Sequence, residues 1–438
     1  MRGSIPGITP PTFTELVAAY KALIQALALS PPKRGIAVKR KWGFIQIGLA
    51  FCVLLSIALI SCERGKPISQ MGPPQYVGSE KCAECHSRIA VTFRNTLHSK
   101  VMQDAKKNPD AIQGDFATPN PLIDFKKEDV RLTHGVQWKQ RYVDKDWRTR
   151  VGQWNFESEE WSPYNPDGWK TADWREKCGY CHVVGFDKEK LTWYELSVGC
   201  EACHGPASNH IDSKLEDKHR TIVNPASLPF RAASDVCGQC HTRGKSPDKK
   251  WEFPVGYKVG DYLGPQHFTI VDKSDKSAWW PSGHVMQHRQ QYPEWKGSMH
   301  AKAGIGCSTC HSVHEAKTKF ATTMNPNNLC LSCHGNVSTD PMRGHAPLAG
   351  APQHSDCLGC HMPPTGKSAT RADERTHQFK TIPPKVTVEL GGGDPGKQPN
   401  SCNHCHAHKN QKAEDLQKAL DEGRKALLRL TSVNPAPQ

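Results

Sequence analysis

Hydrophobic positions are spread unevenly along this chain. One run, WGFIQIGLAFCVLLSIALI at 42–60, carries no charge and follows Lys39, Arg40 and Lys41. A basic stretch leading into an apolar one predicts an export signal. A run of this length could also just span a bilayer, which keeps a retained transmembrane helix as the alternative. Downstream, VRLTHGVQWKQRYV (130–143) and WRTRVGQWNFE (147–157) alternate roughly and carry aromatics, which predicts hairpin strands. Near the end, QKAEDLQKALDEGRKALLRL (411–430) sets Leu416, Leu420, Leu427 and Leu430 near one face of an amphipathic helix, expected to dock on its own protein. Elsewhere neither period persists, and 35 glycines and 33 prolines favour loops over long elements.

Composition sharpens this picture. Only 37% of the 438 residues are hydrophobic, and the mean hydropathy of −0.62 is poor material for an aliphatic core. Sixteen of the 18 cysteines fall into eight copies of one pattern, each closed by a histidine. They are Cys82/Cys85/His86, Cys178/Cys181/His182, Cys200/Cys203/His204, Cys237/Cys240/His241, Cys307/Cys310/His311, Cys330/Cys333/His334, Cys357/Cys360/His361 and Cys402/Cys405/His406. C-x-x-C-H is the attachment pattern of c-type haem: two thiols add to the vinyl groups and the next imidazole reaches the iron. Structural zinc uses C-x-x-C pairs two by two and has no use for a histidine after each. A disulfide scaffold would not hold one spacing eight times. Eight haems c are therefore expected, with porphyrins supplying the core that the side chains cannot.

The two remaining cysteines lie in the leader. Cys52 sits inside the apolar run as a small hydrophobe. Leu59-Ile60-Ser61-Cys62 resembles the bacterial lipobox, in which the cysteine becomes the lipidated first residue of the mature chain. Glu63 after it is no inner-membrane retention aspartate, so an outer-membrane lipoprotein facing the periplasm or cell surface is expected. Residues 1–37 are long and polar for a signal, which suggests a true start at Val38.

The formal charge of +14 shrinks to +8 without residues 1–61, whose seven Lys/Arg outnumber one Glu by six. Two propionates per haem offset the rest, so the basic excess reads as propionate partners and not as a nucleic-acid footprint. Of 22 histidines, fourteen lie outside the eight proximal positions, whereas the chain has only eight methionines. Bis-histidine ligation is the better supplied scheme. His314, three residues beyond His311, shares its helical face and can ligate only a neighbouring haem; His210, six beyond His204, follows the same logic. His98, His134, His288, His300, His345 and His377 complete the distal set, with His288 the weakest choice. His404 and His219 are expected at the surface.

YVGSEKCAECHSRIA, the hairpin around THGVQW, CEACHGPASNH, SMHAKAGIGCSTCHSVH, CLGCHMPP and PNSCNHCHAHK resemble the multihaem cytochromes c with a cytochrome-c-554-type region. Their lineage includes hydroxylamine oxidoreductase and pentahaem nitrite reductase. The likeness runs from about residue 76 to 410 and implies a mostly α, loop-rich fold with a few short β-hairpins, in which stacked and perpendicular haems form the core. Segments follow: a leader at 1–61, a c-554-like region with haems 1–3 at 62–215, haem 4 and an aromatic insertion at 216–300, haems 5–8 at 301–410, and the helix and tail at 411–438. The expected function is electron transfer between redox proteins, or to a terminal acceptor, outside the cytoplasm from a membrane lipid anchor. Two alternatives stay open: an oxidoreductase acting on a small nitrogen or sulfur compound at one five-coordinate haem, and a homo-oligomeric conductive filament. Reductases of this lineage carry a C-x-x-C-K motif, which is missing here, so no catalytic residue is assigned.

Overall fold

In the computed structural model, which describes residues 65–438 except 165, 170, 336–356, 369, 371, 405–407 and 434–438, the stretch between the first two motifs folds into a single antiparallel sheet. The leader with Cys52 and Cys62, the distal candidate His345, and Cys405 with His406 lie outside the described residues. The sheet is a meander of β1 (Met102–Asp104), β2 (Val130–His134), β3 (Lys139–Asp144), β4 (Gly152–Asn155) and β5 (Glu160–Pro163). The isolated hairpins expected from the sequence are thus joined into five strands. β1 and β5 have three and four residues, too few to show a period. Helix accounts for 33% and strand for 15%, a loop-rich mixture with more sheet than the expected mainly helical architecture.

Both faces of the sheet are buried. Leu132 and Val143 pack with Met102, Trp174 and Val183 on one side; Val130 and Tyr142 pack with Ala105, Ile112 and a ring of Phe116, Phe125, Trp154 and Trp161 on the other. Val130 and Leu132 are two apart and would normally share a face. A register irregularity between them lets each enter a different cluster. β2 ends at Gly135, where φ is +103° and a Cβ would meet the Lys139 carbonyl oxygen at 2.1 Å, so only glycine turns the chain here. The turn brings Arg141 directly opposite His134, so the two side chains leave the same face.

The second aromatic insertion makes a smaller core of Leu263, Phe268, Tyr292 and Trp295, beside a cluster of Ala278, Trp279 and Val285. It packs on α1 (Phe230–Gly238), whose buried Asp235 accepts hydrogen bonds from the Leu263 amide (2.8 Å) and the Tyr292 hydroxyl. α2 (Pro384–Gly391) stops at Gly392, which takes the left-handed conformation that closes helices. α3 (Ala413–Val433) realises the C-terminal amphipathic helix; its Ala413 and Leu416 are buried, and Gln417 accepts from the Lys385 amide of α2 at 2.9 Å.

Two buried carboxylates tie distant segments together. Glu201, beside Cys200, accepts from the amides of Gly78 (2.8 Å) and Ala207 (2.8 Å). Glu294 accepts from the Val285 amide (2.9 Å), the Thr376 hydroxyl (2.6 Å) and the His377 amide (2.6 Å). Burial pushes the Glu294 carboxyl up, while these donors pull it back towards the charged form. Removing the carboxylate strands three donors. Glu294→Ala is expected to cost about 3 kcal/mol and to lower the thermal midpoint followed by circular dichroism, whereas Glu216→Ala, at an exposed position, leaves it in place.

Candidate functional site

Each Cys-x-x-Cys-His stretch is a turn of helix. The histidine amide donates back to the first cysteine carbonyl: His86 to Cys82 (2.9 Å), His204 to Cys200 (3.1 Å), His241 to Cys237 (3.0 Å), His311 to Cys307 (2.9 Å) and His334 to Cys330 (2.9 Å). Residues i, i+3 and i+4 of a helix share a face. Two thiols and an imidazole are therefore presented on one side of each turn. Disulfides are absent among the described motif cysteines. Thiols of different motifs lie beside one another instead: Cys82 by Cys200, Cys181 by Cys240 and Cys237 by Cys307.

Imidazoles from outside the motifs face the proximal ones at a nearly constant spacing. Ring centres are 6.3 Å apart for His86 and His210, 6.2 Å for His241 and His98, 6.1 Å for His204 and His314, 6.4 Å for His311 and His377, and 6.0 Å for His334 and His300. An imidazole nitrogen sits about 2 Å from a bound metal, so two rings on opposite sides of one metal have centres about 6 Å apart. Five of the eight distal candidates thus occupy the spacing that one iron between two rings requires. Each partner comes from another part of the chain, and His314 stands opposite His204, not its neighbour His311. Burial pushes His98 and His377 down to about 4, which favours the neutral, metal-ligating ring at ordinary pH. Ring planes are near parallel for His204 and His314 (11°) and steeply inclined for His300 and His334 (75°).

His182 is different. Its ring lies 4.1 Å from His134, too close for a metal between them, and the Nδ1 atoms of both are buried without a hydrogen-bond partner. His288 stands near, with its Nδ1 likewise unpartnered and its ring 6.4 Å from Tyr164. Burial, then Arg289 and Arg141, holds His182 down to about 3. β2 carries His134 against the His182 ring itself, and among the described residues neither His134 nor His288 stands about 6 Å from a proximal imidazole. His404, expected at the surface, is half-buried with its Nε2 hydrogen-bonded to the Pro364 carbonyl, whereas His219 is exposed as expected. His361 lies in the helical turn Cys357–His361.

The five imidazole pairs, with His134, His182 and His288, open onto one cavity of about 5350 Å³, several times the ~300–1,000 Å³ of a pocket for one small ligand. Motif cysteines and histidines line it, together with four residues that the sequence reading passed over: Arg141, Tyr164, Arg243 and Arg289. Register was the available signal for Arg141, which sits opposite His134 once the THG turn is closed on glycine. Reduced thiols in pairs, facing imidazoles and a shared large cavity fit covalently held haem.

Comparisons with known proteins agree. The cytochrome c554 and c-prime family profile matches residues 133–205, and the doubled CXXCH motif profile matches 300–339. Multiheme cytochrome MtrA of Shewanella baltica (strain OS185) is 26% identical over 165 residues, 37% of this chain and 35% of that protein. Cytochrome c-554 of Nitrosomonas europaea is 24% identical over 164 residues, 36% of this chain and 49% of that protein. The matched part is thus half or less of either relative. Among solved structures, the outer cell wall cytochrome OcwA is 25% identical with a TM-score of 0.66, covering 79% of this chain and 86% of that one. The chain is a multihaem c-type cytochrome.

Proposed function

We propose that the chain moves electrons through eight covalently attached haems, mostly with two histidines each, between redox partners outside the cytoplasm. The observation that carries this reading is the set of five imidazole pairs at 6.0–6.4 Å. Two strong-field rings close an iron to substrate and leave only electron exchange. Thiol neighbours support an order: Cys82 and Cys200 bring the first and third haems together, Cys181 and Cys240 the second and fourth, and Cys237 and Cys307 the fourth and fifth. The segments 62–215, 216–300, 301–410 and 411–438 are successive stretches of one electron path. The eight sites are the sixteen cysteines and eight proximal histidines of the motifs. His98, His210, His300, His314 and His377 are the distal ligands, and His345 serves a haem of the last motifs. Cys62 is the lipid anchor that holds the protein at the outer membrane.

A second reading is favoured by His182. With His134 packed on its ring and, among the described residues, no imidazole at the metal-bridging distance, the second haem would keep an open face where a small nitrogen or sulfur compound could react. The other haems then supply or drain that site.

Three outcomes test these readings. Intact mass of the mature protein should equal the chain from Cys62 plus eight haems and a diacylglyceryl group, and Cys62→Ala should release it from the membrane fraction. His314→Ala should turn one haem in eight high-spin in the oxidised absorption spectrum while all covalent haem is retained, because the attachment cysteines are untouched. An unchanged spectrum removes His314 from the ligand set. Carbon monoxide should bind one ferrous haem per chain; binding to none restores a pure carrier.

A further inference from the structure

One ring of the five facing pairs is steadied differently from the rest. His204, His210 and His377 turn Nδ1 to the backbone carbonyls of Val223 (2.8 Å), Lys218 (3.0 Å) and Arg375 (3.1 Å). Among the described rings of these pairs, His241 alone turns to a side chain, with Nδ1 3.4 Å from Gln291 Oε1. Gln291 belongs to the short helix Gln291–Lys296, and its neighbour Tyr292 donates its amide to the His241 carbonyl at 3.0 Å, so the helix is fixed to the motif itself. The other end of the Gln291 amide, Nε2, donates to Glu374 Oε1, which also accepts from the Arg289 amide at 3.2 Å. An ionised carboxylate only accepts, so the Gln291 amide has one orientation and its oxygen faces His241. Glu374 itself lines the cavity. Lys139, ion-paired to Asp373 at 3.2 Å, and Glu294 are the other charged side chains acting on it, while the Arg289 guanidinium is turned to Glu252 at 3.4 Å. Burial pushes the Glu374 carboxyl up to about 7; Lys139 and the Arg289 amide pull it down, and Asp373 and Glu294 add to the rise.

We propose that Gln291 is a positioning residue for the fourth haem and that Glu374 acts through it on the iron. This role rests on the reading above that one iron lies between His241 and His98. Nε2 of His241 goes to the iron, so Nδ1 carries the hydrogen that Gln291 accepts. An acceptor on that hydrogen makes the ring a stronger donor to the metal and favours the ferric state. An ionised Glu374 polarises the Gln291 amide and strengthens the same pull. Reduction of ferric to ferrous iron by an electron from a neighbouring haem removes one positive charge from the site. Glu374 then holds a proton more tightly and takes one from solvent through the cavity. One electron and one proton enter together, and both leave on reoxidation.

The test is a redox titration of the holoprotein followed by electron paramagnetic resonance, well below and well above neutral pH, with His98→Ala marking which low-spin signal belongs to this haem. In the wild type its potential should fall as pH rises through neutrality, because the ionised carboxylate favours ferric iron. Gln291→Leu should abolish that fall and, above neutral pH, shift the equilibrium about tenfold towards the ferrous state, which is about 59 mV for one electron. The exchange variant Gln291→Glu/Glu374→Gln keeps the bond between the two side chains but sets a carboxylate directly against the ring. It should lower the potential below the wild type, a reversal that a merely structural role does not produce. Each variant is expected to keep its full haem content; if Gln291→Leu loses haem, the exchange variant decides by itself. If the pH dependence survives in Gln291→Leu or in Glu374→Gln, or the exchange variant raises the potential, a haem propionate carries the proton and the relay is overturned while the ligand pair stands. If His98→Ala leaves the number of low-spin haems unchanged, the pairing of His98 with His241 falls and this proposal falls with it.

Discussion

The structure depends on bringing two imidazoles from separate parts of the chain to face each other about 6 Å apart. A motif alone sets two thiols and one ring on a helical turn, which needs only five residues and no tertiary support. The facing ring has no such local origin. His98 meets His241, His204 meets His314 and His311 meets His377 across long intervals of sequence. Helices in the motif region are mostly single turns, so facing rings, and not long packed helix faces, are what a bound haem would tie together. The two aromatic cores lie in the insertions between motifs, where the chain must hold itself together without help.

Buried charge is handled in two opposite ways. Glu201 and Glu294 are surrounded by amides and hydroxyls, so each carboxylate is satisfied by neutral donors and ties its segments together. Arg141 gives its hydrogen bonds to neutral oxygens, and the Arg243 guanidinium feels the Glu252 and Asp275 charges with no hydrogen bond to either. The first arrangement is complete within the protein; the second leaves positive potential on a wall of the cavity. That contrast separates groups that stabilise the fold from groups that face what the fold contains.

Much of this was legible in the sequence. Eight identical spacings named the cofactor, alternation found β2, β3 and β4, and leucine spacing found α3. His314 and His210 could be assigned to neighbouring haems because helical geometry bars them from their own. His134 and His288 were the harder residues to place. A histidine in a strand shows only that it alternates, not which ring the sheet will press it against. The guanidinium cluster was missed for a related reason: Arg141 and His134 become neighbours only through the register set at Gly135, and Arg243 and Arg289 only through the packing of a loop-rich insertion that no period announces.

Facing rings drawn from distant segments also order the protein's making. A chain emerges from its amino terminus, so His86 is made well before His210, and His204 before His314. Thioether bonds can form on a short unfolded stretch; the second iron–imidazole bond cannot. A haem held at His86 or His204 would therefore wait for its second imidazole until a later segment arrives. Contacts so far apart in sequence slow folding. A chain ending between His210 and His314 would keep the ring that faces His86 and lack the one that faces His204.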